Sequence, residues 1–434
     1  MKTALTEHRW LRFFTFTACY FAQGIPIGLV FVAVPARLAE LDVSAGDISL
    51  VLGVVSFPWA IKLIGGPFMD RFKFPSMGFR RPWVLLAQGG LTLSLVAMSF
   101  VSISADASLV PLMVAGFVVN TFAATQDVAV DGMAIDVLQH DERGRANAFM
   151  GFGQAAGAAS FGALCGVLLS IAGMPVAALV CAATLAVIFL FVAIVRERPG
   201  EQLMPWSAGQ ATVRAEMAKR NMLTILKDLT RVLFLPMSLI LVMVEFINRV
   251  RDGIAITVFP VFAVQELGYS AAEYTAFNGY VGLTTAVLGA MLGFLVDRHG
   301  AKRFLLVAFA GSAATHLATG LLPMFWTTPG FLFPMAGLAY LFTQLIFVAT
   351  IALFMNLCWS RIAATQFAIY MSLANLSRTV GSLGFSVVAD DLTFAQDFLL
   401  MGLLLAGATG LLLLFNQATH TERLNLLETP RAQL

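Results

Sequence analysis

The stretch GFLVDRHGAKR, residues 293–303, ends a long apolar run in an aspartate, an arginine and a basic turn, and GPFMDR, residues 66–71, ends an earlier run the same way. Asp70 and Asp297 stand about half of the 434-residue chain apart, so the sequence reads as two copies of one plan. Outward from these anchors the chain is apolar almost throughout. Hydrophobic residues make up 59% of it and charged residues 12%, against roughly 25% in soluble domains, and mean hydropathy is +0.84. About 20 apolar residues cross a bilayer core. Twelve runs between residues 13 and 417 are therefore predicted to span a membrane. The expected fold is an all-α integral membrane protein, twelve transmembrane helices in two pseudo-symmetric six-helix halves. Residues 1–195 form the first half and 232–417 the second, with a tail at 418–434. Between the halves, the linker 196–231 begins RERPGEQ and contains a stretch suited to an amphipathic helix lying on the membrane.

The basic residues give an orientation. With the N-terminus in the cytoplasm, 22 of the 27 Lys and Arg residues fall in cytoplasmic tails and loops, and only Arg37 falls outside. Lys62, Arg249, Arg251 and Arg378 fall within spans. Acids run the other way, with Glu40, Asp42, Asp47, Asp106, Glu266, Glu273, Asp390, Asp391 and Asp397 on the external side. Both termini and the linker are thus expected in the cytoplasm. The first span carries Gln23 and Pro26 at its centre and reads as a mature helix, not a cleaved signal. A net charge of +2, with its basic residues beside apolar runs, points to the lipid bilayer and away from nucleic acid as a partner. Cys19, Cys165, Cys181 and Cys358 lie in apolar runs without a CxxC pair or a neighbouring His, so neither a metal nor any cofactor is expected.

Charged and amide side chains inside the spans are the candidate functional residues, because such groups are costly in hydrocarbon unless they face a wet cavity or a partner. In span four, ATQDVAVDGMAIDVL at residues 124–138 puts Asp127 and Asp131 one turn apart on one face, with Asn120 two turns before Asp127. Lys62 lies as far from the inner end of span two as Asp131 does from that of span four, and is expected to pair with Asp131. In span seven, Glu245, Asn248, Arg249 and Asp252 recur at i, i+3, i+4 and i+7, while Arg251 is expected to point elsewhere. Span eleven aligns Asn375, Arg378, Thr379 and Ser382, and span five aligns Asn147, Gly151 and Gln154. Arg378 suits either an anionic substrate group or an intramembrane acid. Gly153, Gly157, Gly162 and Gly166 give the spacing of close helix packing. The four cations offset Asp127, Asp131, Glu245 and Asp252, so the sequence leaves the net charge of a substrate open.

Gly293, Asp297, Arg298, Gly300, Lys302 and Arg303 resemble the loop motif of the major facilitator superfamily, and Gly66, Asp70 and Arg71 resemble a first copy with an enlarged loop. The resemblance implies a cytoplasmic gate formed by Asp70, Arg71, Asp297 and Arg298, and a midplane site between the halves. YFAQGIP in span one, the span-four stretch, ERGRANAF at 142–149, Arg249 with Asp252, and ATQFAIYMSLANLSR in span eleven are similar to the peptide and acetyl-CoA transporter family, which includes AmpG-like muropeptide permeases. That resemblance implies a monomeric importer in the inner membrane of a bacterium, driven by protons and carrying a small-molecule substrate. It puts proton coupling on Asp127, Asp131 and Asp252, while the intramembrane polar residues Gln23, Asn120, Gln154, Glu245, Asn248, Arg249, Asn375 and Arg378 are the candidates for substrate binding. A peptidoglycan fragment is the expected solute; acetyl-CoA, another acyl-CoA or a siderophore are the alternatives. Span five lacks the Gly-Pro signature of drug and proton antiporters. A membrane-embedded acyltransferase is disfavoured because no intramembrane His or Cys is arranged with the acids as nucleophile and base, and a receptor without flux is the remaining class.

Overall fold

The computed structural model describes residues 4–72, 74, 76–104, 106–139, 142–204, 222–359 and 362–428, apart from the side chains at 63, 67, 70, 143, 144, 222–226, 289, 290, 292–297, 299 and 364. The first passage runs as α1 (Arg9–Gly28), a π-helical turn (Leu29–Ala33) and α2 (Val34–Glu40). The second runs as α3 (Ala45–Ala60), a 3-10 turn (Lys62–Ile64) and α4 (Gly65–Arg71). Helices α5 (Arg81–Met98), α6 (Val110–Val137), α7 (Arg143–Ile171) and α8 (Gly173–Ile194) follow, then α9 (Met222–Leu233) in the linker. The later helices are α10 (Pro236–Val261) with a π-helical turn (Phe262–Glu266), α11 (Ala271–His299), α12 (Ala301–Leu321), α13 (Pro329–Leu357), α14 (Ala363–Phe385), α15 (Phe394–Leu413) and, in the tail, α16 (Gln417–Glu428).

Each expected span is met by one helical passage. By length and composition alone, 7 helices among the described residues are long and apolar enough to cross a membrane, or 8 if the pair Lys227–Leu233 and Pro236–Glu266, bent by 73°, is one span. The others are broken, as at α3 and α4, or carry polar stripes, as α14 does with Gln366, Asn375 and Arg378. The second passage breaks where Pro58 and the run Gly65, Gly66, Pro67 weaken helical hydrogen bonding.

The chain divides into two compact units, Met1–Ala215 with Ile256–Val287, and Glu216–Ala255 with Leu288–Leu434. Within the first, α1 crosses α7 with backbones in contact: a Cβ on Gly24 would stand 2.3 Å from the carbonyl oxygen of Gln154, and one on Gly157 would stand 2.3 Å from that of Phe21. Within the second, α10 crosses α14 alike, with Gly253 facing the carbonyl oxygen of Arg378 at 2.3 Å and Gly381 that of Val250 at 2.4 Å. The first and fifth helices of each half therefore meet through glycines. The duplication extends to the π-helical turns, which follow Pro26 in one half and Pro260 in the other.

The start of the linker is bound to the first unit. Glu197 accepts hydrogen bonds from the backbone N–H groups of Phe79 (3.3 Å), Arg80 (2.7 Å) and Arg81, so it caps the start of α5. Burial pushes the Glu197 carboxyl up from its ordinary value, and burial together with the Glu197 charge pushes Glu201 up to about 7. Arg12 and Glu142 form a buried bidentate pair at 2.8 and 3.0 Å. The amphipathic stretch expected in the linker forms α9, with one difference: Leu229 and Val232 pack on Trp359, Ile362 and Leu424, so these residues face protein.

Candidate functional site

Two buried polar clusters lie at mid-helix, one in each unit. In the first, the α1 and α7 crossing brings Gln154 Nε2 to 2.9 Å from Gln23 Oε1, and Gln23 Nε2 in turn donates to Asp127 Oδ1 at 2.7 Å. The other oxygen of Asp127 receives Lys62 Nζ at 2.6 Å. Asn120 Oδ1 accepts from Trp59 Nε1 at 2.8 Å, and Lys62 Nζ lies 5.7 Å from the Trp59 ring centroid. Asp131 Oδ1 accepts a hydrogen bond from the Tyr20 hydroxyl. Gln23, Asn120, Gln154, Asp127, Asp131 and Lys62, all candidates from sequence, thus form one neighbourhood.

The expected ion pair is corrected: Lys62 pairs with Asp127, not Asp131. Counting residues from the inner end assumed an unbroken helix. The passage is instead broken between α3 and α4 by a 3-10 turn at Lys62–Ile64, so counting along one continuous helix does not give the depth of Lys62. Tyr20 and Trp59 were missed as polar contributors. The available signal was spacing: Tyr20 precedes Gln23 by three residues and Trp59 precedes Lys62 by three, each on the same helical face.

In the second unit, Arg249 Nε donates to Glu245 Oε1 at 2.6 Å and Asn248 Nδ2 to Glu245 Oε2 at 3.1 Å. One guanidinium nitrogen of Arg249 reaches Asp252 Oδ2 at 3.3 Å. Arg251 does not point away: it donates to Asn248 Oδ1 at 2.9 Å, stands 3.4 Å from Asp252 Oδ1 and is 1% exposed. Arg251 is three residues after Asn248, so helical spacing makes the two neighbours even though Arg251 lies off the stripe of Glu245, Arg249 and Asp252. Arg378 enters from α14 beside the Gly253 crossing, where its charge, with those of Arg251 and Arg249, acts on Asp252. Asn375 stands one turn earlier on α14, half-buried, and its carbonyl accepts from Thr379 at 3.2 Å.

At the two Asp-Arg helix ends, Arg71 and Arg298 are exposed, and the side chains of Asp70 and Asp297 lie outside the described residues. In the enlarged first-half loop, Arg80 pairs with Asp136 at 3.2 Å, and Arg81 donates to the carbonyls of Gln202 (3.0 Å) and Ala193.

A helical membrane chain built as two related halves, each holding ionisable side chains at mid-helix, has the construction of a multi-pass solute carrier. The comparisons agree. Residues 16–383 match the Major Facilitator Superfamily, and the chain belongs to it; it is a membrane transporter of that superfamily. The anhydromuropeptide permease of Escherichia coli strain K12 is 27% identical over 372 residues, covering 82% of this chain and 70% of that protein, and its counterpart in Escherichia coli O157:H7 gives the same values. A crystal structure of a bacterial homologue of the human lysosomal transporter Spinster, in an inward-facing and unoccupied conformation, superposes with a TM-score of 0.67. It covers 97% of this chain and 98% of its own at 13% identity, a likeness of fold alone.

Proposed function

We propose that the protein is a proton-coupled symporter that brings a bulky polar solute, a peptidoglycan fragment of the muropeptide class, into the cytoplasm. The names of the Escherichia coli relatives support the solute class. One observation carries the coupling: Asp131 rests on the neutral Tyr20 hydroxyl, one turn from Asp127, which is held by Lys62 and Gln23. This cluster has one cation and two carboxylates, so it is neutral only with one proton bound. Asp127 is engaged by both the Lys62 ammonium, at 2.6 Å, and the Gln23 amide. Asp131 is the acceptor, and losing the proton leaves a net negative charge at membrane depth, a cost that links protonation to the state of the carrier. Asp252, acted on by three guanidiniums, is better suited to organising them than to carrying a proton.

The proposed working unit is a single chain in the inner membrane of a bacterium. Both termini and the linker face the cytoplasm, the arrangement supported by the placing of 22 of the 27 basic residues. The test uses right-side-out vesicles and a radiolabelled anhydromuropeptide. An acid-outside pH gradient is expected to drive accumulation of unmodified ligand, and a protonophore to abolish it. Conversion of the ligand would replace transport with enzymology, and saturable binding without accumulation would leave a receptor.

A further inference from the structure

Helix α7 carries a polar face that the acid cluster uses only in part. Asn147 and Gly151 are exposed and Gln154 is half-buried, at i, i+4 and i+7, so they share one side of the helix. Both flanks of that side are occupied within the first unit. On one, α1 crosses: a Cβ on Gly153 would stand 2.5 Å from the carbonyl oxygen of Thr17, and one on Gly157 2.3 Å from that of Phe21. On the other, a Cβ on Gly279 of α11 would stand 2.7 Å from the Ala159 carbonyl oxygen. The far side bears Phe149, Phe152 and Val167, exposed and apolar, as suits contact with lipid tails. Gln154 stands about three turns into α7, a depth at which amides face a wet interior and not hydrocarbon. Nothing lies within 4 Å of a Cβ built on Gly151, so a ligand can reach the backbone between the two amides. Gln154 Nε2 donates to Gln23 at 2.9 Å, while among the described residues no donor reaches its Oε1.

We infer that Asn147, Gly151 and Gln154 form a saccharide-binding subsite, which takes a sugar ring of the solute through its uncharged hydroxyl and acetamido groups. The inference rests on the transport reading above and adds to it which part of the solute meets the first unit, and on which residues. The stripe has no charge of its own, so an ionised group would find no counter-charge on it. Its two carboxamides each donate and accept, as do the hydroxyl and acetamido groups of a hexosamine. Those groups leave a pyranose at its edge, so a ring with one face on Gly151 presents them to amides on both sides. Asn147 and Gln154 are seven residues apart, about 10 Å along the helix, which leaves room for the ring between them. Through Gln154 and Gln23 the bound sugar is joined to Asp127 by hydrogen bonds of 2.9 and 2.7 Å.

The probes are N-acetyl-1,6-anhydromuramyl-L-alanyl-D-glutamate and the same ligand without its sugar, D-lactyl-L-alanyl-D-glutamate, with binding to the purified full-length protein read by calorimetry. The sugar-bearing ligand is expected to bind about tenfold tighter or more. Asn147→Ala removes one hydrogen bond and is expected to weaken it about two- to tenfold. Gly151→Leu fills the space between the amides and is expected to erase the preference, and neither substitution is expected to change binding of the sugarless ligand. Asn147 is exposed and Gly151 opens on free space, so both variants are expected to fold, and the wild-type comparison needs neither. Equal binding of the two ligands by the wild type, or a preference that survives both substitutions, overturns the subsite and leaves muropeptide import standing. Binding of neither ligand overturns the solute class and the subsite together. An equal loss of affinity for both ligands in the two variants gives the stripe to the peptide and also overturns the inference.

Discussion

The ammonium of Lys62 lies 2.6 Å from Oδ2 of Asp127, and Asp131, one turn further along the same helix, is left to the hydroxyl of Tyr20. Two carboxylates that look interchangeable in sequence therefore have different partners. Neutralising each tests this. Asp131→Asn is expected to abolish uphill uptake under a pH gradient while downhill exchange persists. Asp127→Asn strands a buried ammonium, and is expected to lower the yield of folded protein, with Lys62→Gln restoring it. Uphill uptake by Asp131→Asn at the wild-type level would remove that residue from the coupling step.

Tyr20 has no charge of its own to contribute. Tyr20→Phe removes one hydrogen bond to Asp131 and little volume, so transport is expected to slow by about 2–10-fold with folded yield unchanged. Initial uptake rates in vesicles, normalised to protein, measure it.

The α1 and α7 crossing tolerates no added atom at Gly24. Gly24→Ala is expected to cost about 1–3 kcal/mol or more, because its Cβ would stand 2.3 Å from the Gln154 carbonyl and backbone must shift. Gly151→Ala on α7, where a Cβ meets nothing within 4 Å, is the matched control. Detergent thermal unfolding of the two variants is expected to separate them clearly.

The linker clasp depends on pH through Glu201. Its carboxyl is raised from 4.5 to about 7 by burial and by Glu197, so the folded protein binds that proton more tightly than the unfolded chain does. The associated stabilisation is full below about pH 4.5 and is lost as pH rises through 7. Glu201→Gln is expected to flatten the dependence of thermal stability on pH across this window, and an unchanged slope would assign it to other groups.

A different contact joins the ends of the first and seventh passages within the first unit. Gln265 Nε2 donates to the carbonyls of Ala39 (3.0 Å) and Val43 (3.1 Å), and Glu40 accepts from the backbone N–H of Ala271 at 3.2 Å, at the start of α11. Gln265→Ala with Glu40→Gln is expected to weaken this closure and raise thiol labelling of a cysteine placed at Val43. Unchanged labelling would mean that packing alone, as where Gly279 faces the Ala159 carbonyl at 2.7 Å, holds these ends together.

The helical membrane fold and its duplication were legible in the chain, because hydrocarbon selects apolar runs of a fixed length and the Asp-Arg endings mark equivalent points in each half. The polar residues within spans were legible for the same reason: their cost in lipid makes them conspicuous. Sequence could not decide which of them touch. The pairing of Lys62 depended on a break in its helical passage, and Arg251 joined the cluster through Asn248, its neighbour three residues earlier. Likewise, the meeting of Gln23 with Gln154 required a glycine crossing between helices far apart in the chain. Summed over the whole sequence, the intramembrane charges cancel; only the tertiary structure groups them, Lys62 with Asp127 near Asp131 in one unit and Arg249 and Arg251 with Glu245 and Asp252 in the other. Periodicity fixes the face of a helix a residue occupies, whereas partnership depends on depth, helix breaks and the distance between backbones, which arise only when the helices pack.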